Sequence, residues 1–147
     1  ACFADIRFAV PNVKFTTAHG KLNLPAEFGL SWMLPRIVGL GRANDLLMTS
    51  RVFLSDEAYD LGFVNQLAEP DELMTKTYEY AQNLISTIAP NSLRQTRWQI
   101  YRDLHRDVAS SVADSETLLD AMMGEDDYKE GVRAFVERRP PEWPSLK

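Results

Sequence analysis

Apolar and polar residues alternate in two short stretches near the start of the chain. The segment Asp5–Val10 (DIRFAV) has apolar side chains at every second position, which is the period of a β-strand. A second segment of this kind, Val13–Thr17 (VKFTT), follows the dipeptide Pro11-Asn12, a combination typical of turns. The pattern therefore predicts two strands joined by a tight connection.

From Phe28 onward the apolar positions take up helical spacing. They lie three or four residues apart, at Leu30, Met33, Leu34, Ile37 and Val38. Pro35 falls inside this run, and because it lacks an N–H group and clashes with the preceding turn, it predicts a kink or a division into two short helices. Gly39 and Gly41 predict a stop, after which Arg42–Thr49 forms another short helix.

The remainder of the chain is predicted to be mainly helical. Ser55 is a good N-cap for a short helix that ends near Gly62, and Phe63–Leu67 resembles one more strand. Further helices are predicted up to Pro90, over Ser92–Leu104, over Asp107–Met123 and from the capping-box-like pair Asp127 and Glu130 to Pro140. Strands followed by helices indicate an α/β front and an all-helical back.

Size, charge and cysteine content narrow the class of protein. The chain has 147 residues, which suits a single core, and a net charge of −5 that argues against non-specific nucleic-acid binding. No apolar run approaches the ~20 residues of a membrane helix. The single cysteine, Cys2, cannot form an internal disulfide, which fits a reducing cytoplasm. We therefore expect a cytoplasmic protein with neither nucleic acid nor membrane as its partner.

The first residues of the chain are unusual for a natural start. The sequence begins at Ala1 and enters its first predicted strand within a few residues. A domain rarely begins in a buried strand with no lead-in. We therefore expect the sequence to be a fragment of a longer protein.

Several kinds of chemistry are disfavoured by the residues present. The two histidines, His19 and His105, and the cysteine are not at the spacing of metal ligands. The sequence also contains no Gly-rich phosphate loop and no G-x-S-x-G nucleophile motif. A resident metal ion is therefore not expected.

Glu27 is the acidic residue of the stretch LPAEFGLSWMLPRIVG, and two interpretations of it are open. As an acid in the first turn of a helix, it would gain ~0.3–1 kcal/mol from the helix macrodipole. As a carboxylate just ahead of an apolar run, it would alternatively be a group that transfers protons. His19 has the same ambiguity between a packed histidine and a functional one. Composition and spacing alone do not separate these interpretations.

Three segments in order resemble the enoyl-CoA hydratase/isomerase family, the crotonases. ADIRFAVPNVKFTT is similar to the CDIRIA and KF strand pair of that family. The long stretch from GLSWMLPRIVG to LGFVNQLAEPDEL resembles its succession of LPRLVG, A-x-x-L-x-x-x-x-R and EA-x-x-x-GLV motifs. EGVRAFVERRPPEW resembles its C-terminal EG-x-x-AF-x-EKR-x-P-x-F motif.

The resemblance implies a fold and an organisation. It implies an α/β, crotonase-like (ClpP/crotonase) ββα-spiral fragment with an all-helical C-terminal trimerisation region. Residues 1–69 would be the C-terminal part of the spiral core, and residues 70–147 the helical region for oligomerisation. The family's N-terminal half, which supplies the oxyanion-hole N–H groups and the first hydratase glutamate, would lie upstream of Ala1.

The resemblance also implies a substrate and a set of site residues. The substrate would be an acyl-CoA thioester, with no metal or redox cofactor, and a homo-oligomer (trimer or hexamer) would complete the site. Glu27 would be the catalytic acid/base, in a context where family members that shift a double bond have their single acid. His19 takes the place of the second hydratase glutamate, which favours isomerisation over hydration. The implied substrate-binding residues are His19, Phe28, Gly29, Trp32, Phe135 and Arg138, the last two at the CoA nucleotide of a neighbouring subunit.

A second class of function stays open beside the enzymatic one. Amphipathic helices need a cover for their apolar stripes, and that cover is either the protein's own core or another subunit. The chain could therefore be a non-catalytic, self-associating fragment derived from a crotonase.

Overall fold

The computed structural model describes residues 1–146 and contains, over that range, seven α-helices and four two-residue β-strands. The helices are α1 (Leu30–Val38), α2 (Leu40–Thr49), α3 (Ser55–Asp60), α4 (Leu73–Thr87), α5 (Pro90–Asp103), α6 (Val108–Met123) and α7 (Asp126–Glu137). The strands are β1 (Phe8–Ala9), β2 (Lys14–Phe15), β3 (Phe53–Leu54) and β4 (Gln66–Leu67). All four strands lie before residue 68, where they are interleaved with α1, α2 and α3, and only helices follow, in agreement with the predicted α/β front and all-helical back.

The four strands form two separate pairs. β1 runs parallel to β4, with Phe8 opposite Gln66, and β2 runs antiparallel to β3, with Phe15 opposite Phe53. All three predicted strand segments contain a strand, but each strand is only two residues long. A strand extends only as far as its backbone is hydrogen-bonded to a partner strand, and that partner lies far away in the sequence. The alternation of apolar and polar residues therefore predicts where a strand lies but not how long it is.

The region around Pro35 differs from its prediction in part. α1 continues through Pro35 as one helix, so that of the two predicted alternatives, a kink or a division into two helices, the division does not occur. Gly39, with a φ of 86°, separates α1 from α2 in a conformation that glycine adopts easily. Gly41 lies inside α2 and not at a stop. α1 and α2 pack against one another, and this contact supports the helix across the missing Pro35 N–H group.

The core of the first part of the chain connects α1 and α2 with the strands and α3. Its most buried side chains are Leu34, Val38, Ala43, Leu46, Phe53, Ala58, Phe63 and Val64. Each fully buried Leu, Val or Phe of this kind stabilises the fold by about 1.5–3 kcal/mol. This core fixes the ends of β2 and α1, between which Glu27 lies.

Ser55 has a different role from the predicted helix cap. The N-cap of α3 is Leu54, and Ser55 is the first helical residue. The Ser55 hydroxyl accepts a hydrogen bond from Val13 N at 3.0 Å and donates one to Val10 O at 2.7 Å. It therefore joins α3 to the connection between β1 and β2, a contact more than 40 residues away in sequence that local spacing does not reveal.

Asp127 and Glu130 do not form the predicted capping box. α7 begins at Asp126 with Glu125 as its N-cap, and both predicted acids are buried. Asp127 accepts hydrogen bonds from the backbone N–H and the hydroxyl of Ser145, while Glu130 accepts one from Glu142 N. The two acids therefore hold the segment that follows α7. α6 begins directly after its N-cap Asp107, whose carboxylate accepts a hydrogen bond from Ser110 N at 3.0 Å.

The chain divides into two compact units between Tyr78 and Glu79, within α4. The boundary predicted from the sequence, after residue 69, lies in the connection just before that helix. α4 ends at Thr87, and Pro90 begins α5. Among the described residues, no helix has both the length and the apolar character needed to cross a bilayer.

Candidate active site

Glu27 lies in the connection that leads into α1. Its carbonyl accepts a hydrogen bond from Leu30 N at 2.9 Å, and the next two residues, Phe28 and Gly29, have φ values of 52° and 73°. Gly29 is the N-cap of α1, so that Glu27 precedes the first helical turn and no acid lies within it. The macrodipole interpretation of Glu27 therefore lacks support from the fold.

The side chain of Glu27 is exposed and lines a cavity of about 310 Å³. The walls of this cavity are largely apolar and include Phe3, Phe15, Phe28, Leu34, Phe53 and Phe63. A volume near 300 Å³ is at the lower end of the range of small-molecule sites. The geometry thus places one carboxylate at an apolar recess, which is an arrangement suited to proton transfer on a largely hydrophobic ligand.

Three phenylalanine rings form the inner wall of this cavity. The rings of Phe15 and Phe53 are stacked, with centroids 5.6 Å apart, and the ring of Phe63 meets Phe15 edge-on at 5.8 Å. The guanidinium of Arg7 lies 5.1 Å above the ring of Phe63, and its Nε donates to the Phe63 carbonyl. Aromatic pairs of this geometry prefer fixed orientations, so that this wall is a defined surface.

Residues near the start of the chain complete the recess. Cys2 lines the cavity, and burial raises the pKa of its thiol above the usual range. The ring of Phe3 lies close to the backbone of Gly29: a Cβ added there would be 3.3 Å from Phe3 Cζ. Since Gly29 also has a positive φ, a larger residue would strain the backbone beside Glu27.

The other residues predicted for this region have different surroundings. Phe28 is 91% exposed at the edge of the cavity. His19 is buried in a short 3₁₀ turn, is not among the cavity-lining residues, and its Nδ1 has no hydrogen-bond partner in the structure. Trp32 is half-buried on α1, with the Arg36 guanidinium 3.9 Å from its ring. Of the predicted residues in the first unit, the structure therefore brings Glu27 and Phe28 to one cavity.

Phe135 and Arg138 lie at the end of α7, in the second unit. Phe135 is 85% exposed and lines an apolar cavity of about 380 Å³ together with Met122, Tyr128, Val132 and Trp143. Arg138 ends the helix in a left-handed conformation with a φ of 53°, and its side chain is exposed. The pair is thus accessible at one end of a helix.

The cavity has several residues that sequence reasoning missed. Phe15, Thr16 and Thr17 are three consecutive residues at the end of β2, so that strand alternation, which sends neighbouring side chains to opposite faces, gives no signal for the set. Phe53 and Phe63 come from later parts of the chain, and no local pattern relates them to Glu27. Within residues 1–146, no group of His, Cys, Asp or Glu side chains is placed to hold a metal ion.

Comparisons with known proteins identify relatives of the whole chain. A family model described as enoyl-CoA hydratase/isomerase matches residues 1–146. The chain is 32% identical over 139 residues to the short-chain-enoyl-CoA hydratase of Clostridium acetobutylicum, covering 95% of this chain and 53% of that protein. It is 30% identical to the crotonyl-CoA hydratase of Syntrophomonas wolfei, with the same coverage of 95% and 53%.

A solved structure agrees with this relationship. The crystal structure of the enoyl-CoA hydratase from Bacillus anthracis matches with a TM-score of 0.91 at 25% identity, over 97% of this chain and 55% of that one. The chain spans about half the length of the curated relatives it matches.

Proposed function

The chain belongs to the enoyl-CoA hydratase/isomerase family, and we propose that it takes part in proton transfer on acyl-CoA thioesters with Glu27 as the acid/base. The membership agrees with the resemblance and with the crotonase-like fold class predicted from the sequence. The observation that supports the proposal most directly is that the Glu27 carboxylate lines an apolar cavity just before α1.

The chemistry of the substrate explains why one carboxylate at an apolar recess is useful. A thioester makes the protons on its α-carbon moderately acidic, and removal of such a proton leaves an enolate. A positioned carboxylate that accepts or returns this proton contributes about 10²–10⁴-fold to the rate. Hydrogen-bond donors aimed at the enolate oxygen add about 3–4 kcal/mol each. We propose that Glu27 moves the proton and that the phenylalanine wall holds the acyl group.

We favour double-bond isomerisation over hydration. Hydration in this family uses two carboxylates around one water, whereas isomerisation can use one carboxylate that moves a proton between two carbons. Glu27 is the only carboxylate among the described residues that line the cavity. By the family resemblance, His19 stands at the sequence position of the second hydratase acid. The relatives are named as hydratases, and this is the reason for testing both reactions.

The test compares Glu27→Gln with its parent in the complete protein that contains these residues. Glutamine keeps the size of the side chain but cannot take up the proton. Isomerisation of a 3-enoyl-CoA is expected to fall by about 100-fold or more, with KM changing little. Glu69→Gln, which alters an exposed acid outside the cavity, is the matched control and is expected to retain the parent rate.

Two results would contradict the proposal in different ways. Isomerisation at the parent rate by Glu27→Gln would remove Glu27 from the mechanism. Efficient hydration of crotonyl-CoA by the parent protein, together with slow isomerisation, would instead overturn only the preference between the two reactions.

We further propose that the complete protein is a homo-oligomer, a trimer or a dimer of trimers, in which Phe135 and Arg138 contact the nucleotide end of CoA. The support is the accessibility of both side chains at the end of α7. Arg138 would supply the positive charge, and the Phe135 ring a flat surface for a base.

A non-catalytic, self-associating role is the second candidate, and one observation favours it. Val132, Phe135 and Val136 are 46%, 85% and 74% exposed and lie at the three- and four-residue spacing of one helix face. Light scattering combined with the enoyl-CoA assays separates the two roles, because the second candidate requires assembly without turnover.

A further inference from the structure

Ser50 is a fully buried polar residue at the end of α2, and it is hydrogen-bonded to two residues that line the cavity of Glu27, Thr16 and Thr17. It has a left-handed backbone, with a φ of 45°, which glycine adopts more readily than serine. The Ser50 hydroxyl oxygen accepts a hydrogen bond from Gly20 N at 3.0 Å and lies 3.2 Å from Thr17 Oγ1, which donates to it. The Ser50 carbonyl accepts a bond from Thr16 Oγ1 at 3.2 Å.

These contacts reach the segment that leads to Glu27. Thr16 and Thr17 themselves line the cavity, and Gly20 lies in the 3₁₀ turn from which the chain continues to Glu27. The residues on either side of this turn, Ala18 and Asn23, both have a positive φ, which is unfavourable for a non-glycine residue. Contacts with the rest of the protein must therefore stabilise the conformation of this segment. Ser50 supplies such contacts from a helix that belongs to the core.

The fit between Ser50 and its partner is close. A Cβ added to Gly20 would lie 2.7 Å from Ser50 Oγ, which is shorter than an ordinary contact. The backbone of Gly20 therefore packs directly against the Ser50 hydroxyl, and there is no room for a side chain at position 20. Ser50 thus has a left-handed backbone, and its hydroxyl contacts a residue that must be glycine. Burial of a serine by itself requires neither feature.

We propose that Ser50 is a positioning residue for the active site: its hydroxyl and carbonyl fix the segment from Thr16 to Gly20, and with it the side of the cavity where Glu27 acts. This role rests on the function proposed above for Glu27. Ser50 touches no reacting atom in this scheme and acts through the residues it holds.

Ser55 offers a matched control within the same unit. It is also fully buried, and its hydroxyl also accepts a backbone hydrogen bond, from Val13 N at 3.0 Å. Neither Val13 nor Val10, to which Ser55 donates, lines the cavity. Loss of either hydroxyl removes one buried serine anchor, but only the loss at Ser50 is expected to affect the site.

The experiment compares Ser50→Gly and Ser55→Ala in the complete protein, by hydrogen exchange of single amides and by steady-state kinetics. Glycine removes the Ser50 hydroxyl but suits the left-handed backbone of this position, which offsets part of the stability lost with the hydrogen bonds. In Ser50→Gly, we expect the Gly20 amide to exchange about tenfold faster with Val13 unchanged, and kcat to fall about tenfold at similar KM. In Ser55→Ala, we expect faster exchange at Val13 alone and a kcat within about twofold of the parent.

The outcomes separate this proposal from the one it rests on. Unchanged exchange at Gly20 in Ser50→Gly, or an equal fall of kcat in Ser55→Ala, would overturn the positioning role. If Glu27→Gln is inactive while Ser50→Gly keeps the parent kcat, only the positioning role fails. If Glu27→Gln keeps the parent rate, the proposed function fails and the role of Ser50 fails with it.

Discussion

Arg139 donates two hydrogen bonds to the carboxylate of Glu130, one from each terminal guanidinium nitrogen, at 2.7 and 3.1 Å. Glu142 N donates to the same carboxylate at 2.9 Å. The guanidinium, followed by this backbone bond, lowers the pKa of Glu130 to about 2. A nearly buried acid thus fixes the chain where it leaves α7, nine and twelve residues beyond its own position.

The first prediction concerns acid stability. The pKa of Glu130 is about 2 in the folded protein and near 4.5 for a free side chain. The ionised carboxylate therefore contributes to the free energy of unfolding above about pH 4.5, and this contribution is lost as the pH falls towards 2. Glu130→Gln is expected to be less stable than the parent at pH 7, with a difference that shrinks through this window. Urea unfolding between pH 7 and pH 2.5 measures it, and Glu137→Gln, which alters an exposed partner of the same arginine, is the control. An equal difference at both ends of the range would contradict the prediction.

The second prediction contrasts two glycines. Gly131 lies inside α7, and a Cβ there would meet the Trp143 ring at 3.5 Å, an ordinary contact, so that Gly131→Ala should raise the free energy of unfolding by about 0.5–1 kcal/mol. Gly62 has a φ of 76°, and Gly62→Ala should lower it by about 1 kcal/mol or more. Thermal and urea unfolding of both variants test the contrast. The same sign of change in both would show that backbone conformation does not decide the outcome.

The third prediction tests the close contact between Gly20 and Ser50 by a double-mutant cycle. Gly20→Ala alone should lower the free energy of unfolding by about 1–3 kcal/mol, because its Cβ would lie 2.7 Å from Ser50 Oγ. In a Ser50→Gly background the clash disappears, and most of this penalty is expected to vanish. Additive penalties in the four proteins of the cycle would mean that the two residues do not meet as the structure shows.

The fourth prediction concerns the core. Leu46 is 1% exposed on α2, and Leu46→Ala should lower the free energy of unfolding by about 2–5 kcal/mol through lost burial and a cavity. Met48, on the same helix, is 82% exposed, and Met48→Ala should change it by no more than about 0.5 kcal/mol. Urea unfolding at pH 7 compares them. Similar costs at both positions would place Met48 in a buried environment.

The fifth prediction addresses self-association through α7. Phe135→Ser and Val136→Ser each remove an exposed apolar side chain and are expected to shift the protein towards smaller assemblies. Asp126→Ser, at an exposed position on the side of α7 opposite Phe135, is the polar control and should leave the assembly unchanged. Size-exclusion chromatography with light scattering gives the mass of each variant. Unchanged masses for both apolar variants would exclude this face as the contact.

Predictions from the sequence succeeded where the interaction is local. The helix predicted over Asp107–Met123 matches α6 to within one residue, because its apolar spacing is local and because its cap, in which Asp107 accepts from Ser110 N, spans only three residues. Asp127 and Glu130 have the same kind of spacing, yet their partners lie twelve or more residues further along the chain. Ser55 differs from a cap for the same reason. The spacing of residues along the sequence does not show which distant segment will provide a hydrogen-bond donor in the folded protein.

The candidate site shows the same division. Glu27 was selected from the sequence because of a family resemblance, and the structure adds that it stands before the first turn of α1 and faces an apolar cavity. Phe53 and Phe63, which form part of the wall, were not predicted, since their relation to Glu27 arises from packing between segments far apart in sequence. His19 was predicted as a pocket residue, and that role remains a prediction.

The sequence by itself determined the order of strands and helices, most helix boundaries to within two residues, the family, and Glu27 as the acid to consider. These features depend on side-chain period, on caps within one turn and on motifs read in order, all of which are local properties of the chain. Only the tertiary structure decided the length of the strands, the partners of the buried acids Asp127 and Glu130, and the anchor that Ser50 provides for two residues that line the cavity. Those depend on which distant backbone groups and side chains the folded core brings within hydrogen-bond distance.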